Sequence, residues 1–200
     1  EVIHRGLEKS KNKTALREMI RAIDESSRSA GQLLDHAMAN FRADQLQTEA
    51  LDLRKLTAET VERLSPTAEL KDISIIMQDQ GGDFDFDGDP IMLQNALRNI
   101  LDNAIKYSFF ESDITVALGR DAHNYIISFA DQGRGFAGAN LSDHLQRFKR
   151  GTNVKDIVGS GLGLTIVDEV ARAHGGRVKI NNNTDTKGGG ACVSLYFPLV

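Results

Sequence analysis

Nowhere in the sequence does an apolar run approach the roughly 18 residues that a membrane-spanning helix needs, and no stretch reads as a signal peptide. The piece is therefore expected not to cross a bilayer. Cysteine is down to one, Cys192, set in an apolar alternating run, which excludes an internal disulfide and predicts a buried, reduced thiol. That usage fits a cytoplasmic protein. Zinc-type spacing of Cys and His is missing, and without a Gly-Lys-Ser/Thr triplet there is no P-loop. Basic residues are not in excess either: 24 Lys and Arg stand against 28 Asp and Glu, giving a net charge of −4, which argues against a broad nucleic-acid surface. Any phosphate binding must come from local features. Methionine does not open the chain; Glu1 does, which points to a piece of a longer protein.

What is present is ordinary globular material: 200 residues, 40% apolar and 26% charged, enough for one or two domains with a sizeable core. The most informative stretch runs from Asp89 to Ser108. Asp89 is a good N-cap and Pro90 suits the first helical position, so a helix should start there. Leu93, Ala96, Leu97, Ile100, Leu101, Ala104 and Ile105 form its apolar side, and Gln94, Arg98 and Asp102 a charged one. Asn99, Asn103 and Lys106, at i, i+4 and i+7, share a third face. Alone, that face could be a solvated helix edge.

Upstream, apolar or small residues at Leu16, Ile20, Ile23, Ser27, Ala30, Leu34, Ala37 and Phe41 are spaced alternately by four and three, a helical-bundle or coiled-coil seam over about 14–42. A second copy of the chain would supply the partner surface. Asp44 to Thr48 reads as a linker, Glu49 to Leu53 as a short edge strand, and Arg54 to about Lys71 as an amphipathic helix that Pro66 could kink. Ile73 to Met77 and Phe84 to Phe86 read as short strands with Gly81-Gly82 turning between them. Beyond the Asn99 helix, Ile114 to Leu118 with Tyr125 to Ala130, and Arg177 to Ile180 with Ala191 to Phe197, each predict a hairpin. Leu164 to His174 predicts a helix, at whose C-terminus a partly positive His174 is expected. Strands and helices intermix without a βαβ repeat, so the expected class is α+β, a two-layer sandwich with helices on one face of a mixed sheet.

Three further motifs carry chemistry. Asp131-Gln-Gly133-Arg-Gly135 follows a predicted strand. Alone it is an ordinary Asp-x-Gly turn, yet a carboxylate against bare backbone can accept the 6-amino donor of adenine and would repel the oxygen of guanine. Gly159-Ser160-Gly161-Leu162-Gly163-Leu164 opens a helix, where backbone N–H groups welcome phosphate oxygens. It is not a dinucleotide fingerprint, because Leu164 stands where the last glycine should be and no acidic residue follows at the required distance. Phe136 to Ser160 reads as a lid anchored by Phe148. Its Arg147, Lys149 and Arg150 could reach phosphates or simply line a solvated loop.

Together, in this order, these elements resemble the ATP-binding domain of sensor histidine kinases. Asn99-x-x-x-Asn103 is similar to that family's N box, Asp131-x-Gly133-x-Gly135 to its G1 box, Phe148 to its F box and Gly159-x-Gly161-x-Gly163 to its G2 box. The resemblance implies a fold of that ATP-binding type behind a helical hairpin or coiled-coil segment, with residues 1–46 a partial dimerisation segment and 47–200 the ATP-binding domain. It also implies ATP and Mg²⁺ as ligands, Asn103 on the metal with Asn99 supporting it, Lys106 and Tyr107 near phosphates or ribose, and Phe148, Lys149, Arg150 and the glycines around the nucleotide. Leu145 stands where the family usually has a second aromatic, which bears on lid packing. Related ATPases of the fold have a water-activating glutamate at the place of Asn99, and asparagine cannot take that proton. The implied activity is phosphoryl transfer to a histidine of the dimerisation domain and then to an aspartate of a response regulator, in a homodimer joined through residues 14–42. The implied setting is the cytoplasmic portion of a parent in the bacterial inner membrane. None of the five histidines has the acceptor's sequence context, so the acceptor is expected upstream and the piece is not expected to label itself. The alternatives are a serine kinase of the anti-sigma type, a water-using ATPase, and a non-catalytic nucleotide-sensing or dimerisation module.

Overall fold

In a computed structural model of the chain, the residues described are 46–138, 141–145, 161–183 and 189–199, with Met19 and Gly31. Those last two, within the expected bundle helix, are helical; the rest of 14–42 lies outside the described residues. The element order is β1 (Glu49–Asp52), α1 (Leu53–Glu69), β2 (Ser74–Asp79), β3 (Asp85–Gly88), α2 (Pro90–Tyr107), β4 (Asp113–Arg120), β5 (Asn124–Ala130), a 3-10 turn (Leu141–Leu145), α3 (Gly163–Ala173), β6 (Arg177–Asn182) and β7 (Ala191–Pro198). Five strands form one mixed sheet in the order β2-β4-β5-β7-β6, and β1 pairs antiparallel with β3 in a separate ribbon. Every pair in the large sheet is antiparallel except β2 with β4. The expected two-layer α+β class is the one observed.

Alternation along the strands decides which face the helices cover. On β4 and β5 every second residue is buried, namely Ile114, Val116 and Leu118, then Tyr125, Ile127 and Phe129. Val193, Leu195 and Phe197 of β7 extend the same face. The two expected hairpins are present, and the strands Ser74–Asp79 and Asp85–Gly88 begin a residue later than the sequence suggests. Gly81-Gly82 does not join a pair, since β2 and β3 belong to different sheets. A parallel pair needs a crossover, and β3 with α2 provides it between β2 and β4.

Helix α1 starts at an unforeseen cap, Asp52, whose Oδ1 accepts from Arg54 N at 2.7 Å and Lys55 N at 3.3 Å, and it continues through Pro66 to Glu69. Helix α2 starts as the sequence demands. Asp89 accepts from Ile91 N at 3.0 Å and Met92 N at 3.1 Å, ahead of Pro90. All seven expected apolar positions of α2 are buried, and Met92 joins them. Large aliphatic side chains removed from water contribute about 2 kcal/mol each. Rotating α2 about its axis would forfeit most of that, so the direction in which Asn99 and Asn103 leave the helix is fixed.

Candidate functional site

Helix α3 begins against the asparagine face of α2. The Asn99 amide donates from Nδ2 to the Asn95 carbonyl at 2.8 Å, which leaves its Oδ1 turned toward α3. A Cβ placed on Gly163 would lie 3.2 Å from Asn99 Oδ1 and 3.2 Å from Asn103 Nδ2, tighter than ordinary van der Waals contact. Glycine at 163 is what lets the first turn of α3 sit on both asparagines. The N-cap residue, Leu162, is buried and its own side chain makes no capping hydrogen bond, while Gly161 has φ +74°. Backbone N–H groups at a helix start, at the positive end of the dipole, suit an anion. Leu162 is only 1% exposed, so its contribution to a ligand would be its backbone; Leu164 packs half-buried on the core. The half-buried Asn103 side chain makes no hydrogen bond to the described residues and is available as a ligand.

One helical turn, about 6 Å, separates Asn103 from Tyr107, and there α2 meets the Asp131 loop. Ser108 forms a β-bridge with Gly133, and a Cβ on Gly133 would run into the Tyr107 carbonyl. Asp131 ends β5 and is 5% exposed. Its Oδ1 accepts from Gly133 N at 2.8 Å and from Ala191 N at 2.9 Å, while its own N–H donates to the Ala191 carbonyl at 2.8 Å. Both side-chain bonds fall on one oxygen, and Oδ2 accepts none from the described residues. Burial pushes the Asp131 carboxyl above the ordinary carboxylate range, and the Ala191 and Gly133 donors pull it back in part. Gly190, at the start of β7, backs the Asp131 carbonyl so closely that a Cβ there would overlap it.

Past Asp131, Gly135 takes φ +64°, and a Cβ on it would lie 2.9 Å from Asn182 Oδ1. The Asn182 side chain clamps the next residue at both polar atoms, accepting from Phe136 N at 2.6 Å and donating to its carbonyl at 3.0 Å. The Phe136 ring lies 5.0 Å from that of His144, whose Nε2 is 2.8 Å from the Ala137 carbonyl. Thr165 of α3 donates to the Leu145 carbonyl at 3.2 Å, which fixes the 3-10 turn at the base of the expected lid. Lys106 Nζ stands 5.1 Å from the centre of the Tyr107 ring. Arg147, Phe148, Lys149, Arg150, Gly159 and Ser160 lie outside the described residues. The geometry thus brings together Asn99, Asn103 and Gly163, and separately Tyr107, Gly133 and Asp131, with α2 common to both groups. Gly190, Ala191 and Asn182 were missed by reading the sequence, where residues 181–190 look like a plain turn. The available signal is Gly188-Gly189-Gly190, more glycine than a turn requires, directly ahead of a strand.

The expected charge on His174 is not found. His174 is buried and neutral, not partly positive. Its Nε2 accepts from Asp89 N at 2.9 Å, so Nδ1 must carry the proton and donate to the Val170 carbonyl at 2.8 Å. Burial lowers its pKa, opposed by the Val170 bond and the Asp89 charge. The ring cross-links the end of α3 to the start of α2. Cys192 is free but only half-buried, with its Sγ 3.8 Å from Ser194 Oγ, and burial raises its pKa.

Two asparagines thus face a glycine-led helix start, and the helix that carries them reaches a buried carboxylate on a glycine loop, all on a two-layer fold. Residues 88–200 match the sequence profile of the histidine kinase-, DNA gyrase B- and HSP90-like ATPases, more than half of the chain, and the chain belongs to that family. Its relatives are sensor histidine kinases. It is 28% identical to the sensor histidine kinase YvrG of Bacillus subtilis (strain 168), over 91% of this chain and 32% of that protein. It is 33% identical to the sensor protein QseC of Escherichia coli (strain K12), over 85% of this chain and 37% of that one. Among solved structures, the mycobacterial sensor histidine kinase MprB superposes with a TM-score of 0.67 at 27% identity, covering 75% of this chain and 97% of that one. The chain spans about a third of the length of the curated relatives it matches.

The donor set fits a nucleotide with a hard cation. Among the described residues no group of three or more His, Cys, Asp or Glu could cage a metal. Mg²⁺ does not need one: it is commonly held by one or two protein oxygens, waters and phosphates, and the uncommitted Asn103 amide is such an oxygen. Also among the described residues, no helix is long and apolar enough to cross a membrane.

Proposed function

We propose that this chain holds one Mg-ATP along α2, phosphates toward the start of α3 and adenine toward Asp131. In this reading Asn103 ligates the metal through its amide oxygen and Asn99 orients the neighbourhood. Gly161, Leu162 and Gly163 offer backbone N–H groups to phosphate oxygens, and Lys106 with Tyr107 lies beside phosphates or ribose. Asp131 accepts the 6-amino group on Oδ2, while Gly133 and Gly135 let the ring approach. Phe148, Lys149, Arg150, Gly159, Ser160 and Leu164 complete the site from the lid and the glycine run. Mg²⁺, when bound, neutralises phosphate charge. The observation that carries the proposal is Gly163 seated on both asparagines of α2 while the end of α2 walls Gly133 beside Asp131.

Asn99 has no basic atom with which to activate water, so the site favours holding ATP intact for transfer to a side chain. In the intact protein, residues 1–46 belong to the dimerisation helices and 47–200 to the ATP-binding domain. The γ-phosphoryl group passes to a histidine of the dimerisation domain and then to an aspartate of a response regulator, within a homodimer and on the cytoplasmic side of the membrane. The test is titration with a fluorescent ATP analogue, with and without Mg²⁺, using Asp131→Asn as the control. Saturable, Mg-dependent binding that the variant loses supports the reading. Absence of binding in the wild type points to a module that has lost its nucleotide.

A further inference from the structure

Lys71 lies in the connection between α1 and β2, where its backbone bonds to Ala68 and Glu111, yet its side chain ends at the last turn of α2. Its ammonium donates to the carbonyls of Ile105 at 2.8 Å, Lys106 at 3.0 Å and Ser108 at 3.2 Å, using all three of its protons. The Phe110 ring lies 5.7 Å from the ammonium, and the Lys71 carbonyl accepts from Glu111 N at 3.1 Å, so the chain after α2 folds back over the lysine. A cation on the final carbonyls of a helix offsets both their unmet bonding and the negative end of the dipole. The position of these carbonyls is what matters here. Tyr107, between the captured carbonyls, presses its own carbonyl on Gly133, and Ser108 bridges Gly133 directly. Gly133 in turn donates to Asp131 Oδ1.

We propose that Lys71 is a positioning residue of the nucleotide site: by gathering the carbonyls at the end of α2 it sets Gly133, and through Gly133 the direction of the Asp131 carboxylate. The inference rests on the ATP-binding reading above. It requires that the two ends of the site, Asn103 and Asp131, be kept in register by a lysine that no ligand touches. Burial also lowers the Lys71 pKa, in keeping with an ammonium at the edge of the core, while its carbonyl acceptors favour the charged form.

The test compares wild type, Lys71→Met and Lys71→Arg by melting temperature, by Mg-ATP affinity, and by the amide resonances of Gly133 and Ala191 in the ligand-free protein. Lys71→Met should bind ATP about tenfold more weakly, with both amide resonances displaced, and Lys71→Arg should restore most of the affinity and both resonances. Should Lys71→Met fail to fold, Lys71→Gln, which keeps a donor without the charge, serves in its place. Unchanged affinity and resonances in the neutral variant would overturn the proposal, as would an arginine variant as weak as the methionine one. Wild type that binds no ATP would defeat the underlying reading instead, and the ligand-free resonances would still decide the role of Lys71.

Discussion

In the proposed reading the two Asp131 carboxylate oxygens have separate tasks: Oδ1 closes the loop through Gly133 and Ala191, and Oδ2, which accepts no hydrogen bond from the described residues, is left for adenine. Asparagine in its place can keep the first task, because its amide oxygen still accepts both N–H groups, but it presents a donor where adenine also presents one. Asp131→Asn should therefore lose roughly 1.5–3 kcal/mol of ATP binding, a tenfold to hundredfold weakening, without unfolding. Its stability carries a sign of its own. A carboxyl whose folded pKa is raised contributes stability below its unfolded value, and that contribution is lost as pH rises through the folded one. At pH 7 the charged form is thus a cost, and Asp131→Asn should melt at or above the wild-type temperature. Calorimetry at pH 7 checks the sign; a clear drop in melting temperature would mean that the carboxylate is structural.

Helices α2 and α3 meet at the asparagine end of the proposed site, and their mutual seating gives two further expectations. Gly163→Ala adds a methyl where Asn99 and Asn103 leave 3.2 Å, while improving helix propensity. Mg-ATP affinity should fall about tenfold with stability changed by less than about 1 kcal/mol; equal affinity in titration would mean the asparagines can move aside. The His174 link between the same helices makes stability depend on pH. A histidine with lowered folded pKa contributes stability above its unfolded value, near 6.5, and loses it as pH falls through the folded value. Urea denaturation should find wild type losing stability as pH falls from 7 toward 5, with His174→Gln flatter across that window. Much at this scale was legible in the sequence. The stripe and cap of α2, the hairpins β4–β5 and β6–β7 and the glycine-led α3 all declare themselves within short windows. Local pattern could not announce that β2 would lie parallel to β4, nor that the Nε2 of His174 would meet the N–H of Asp89, 85 residues away. The same holds for Asn182 and Gly190, whose neighbours arrive only with the tertiary fold.

For the molecule as a whole, the motifs and their order were enough to indicate the family, whereas the dimer seam and the lid fall largely outside the described residues. The chain spans about a third of its curated relatives and its histidines lack the acceptor context, so it should bind ATP yet leave no acid-labile phosphate on itself after incubation with radiolabelled ATP. A labelled band would show that one of the five histidines is an acceptor after all. The central claim is that Asn103 and Asp131 hold opposite ends of a single Mg-ATP, and a crystal structure with Mg²⁺ and a non-hydrolysable ATP analogue tests it most directly. The account predicts the metal about 2.1 Å from Asn103 Oδ1 and the adenine amino group about 2.9 Å from Asp131 Oδ2. Nucleotide bound away from either side chain, or with its base and phosphates exchanged between them, would contradict it.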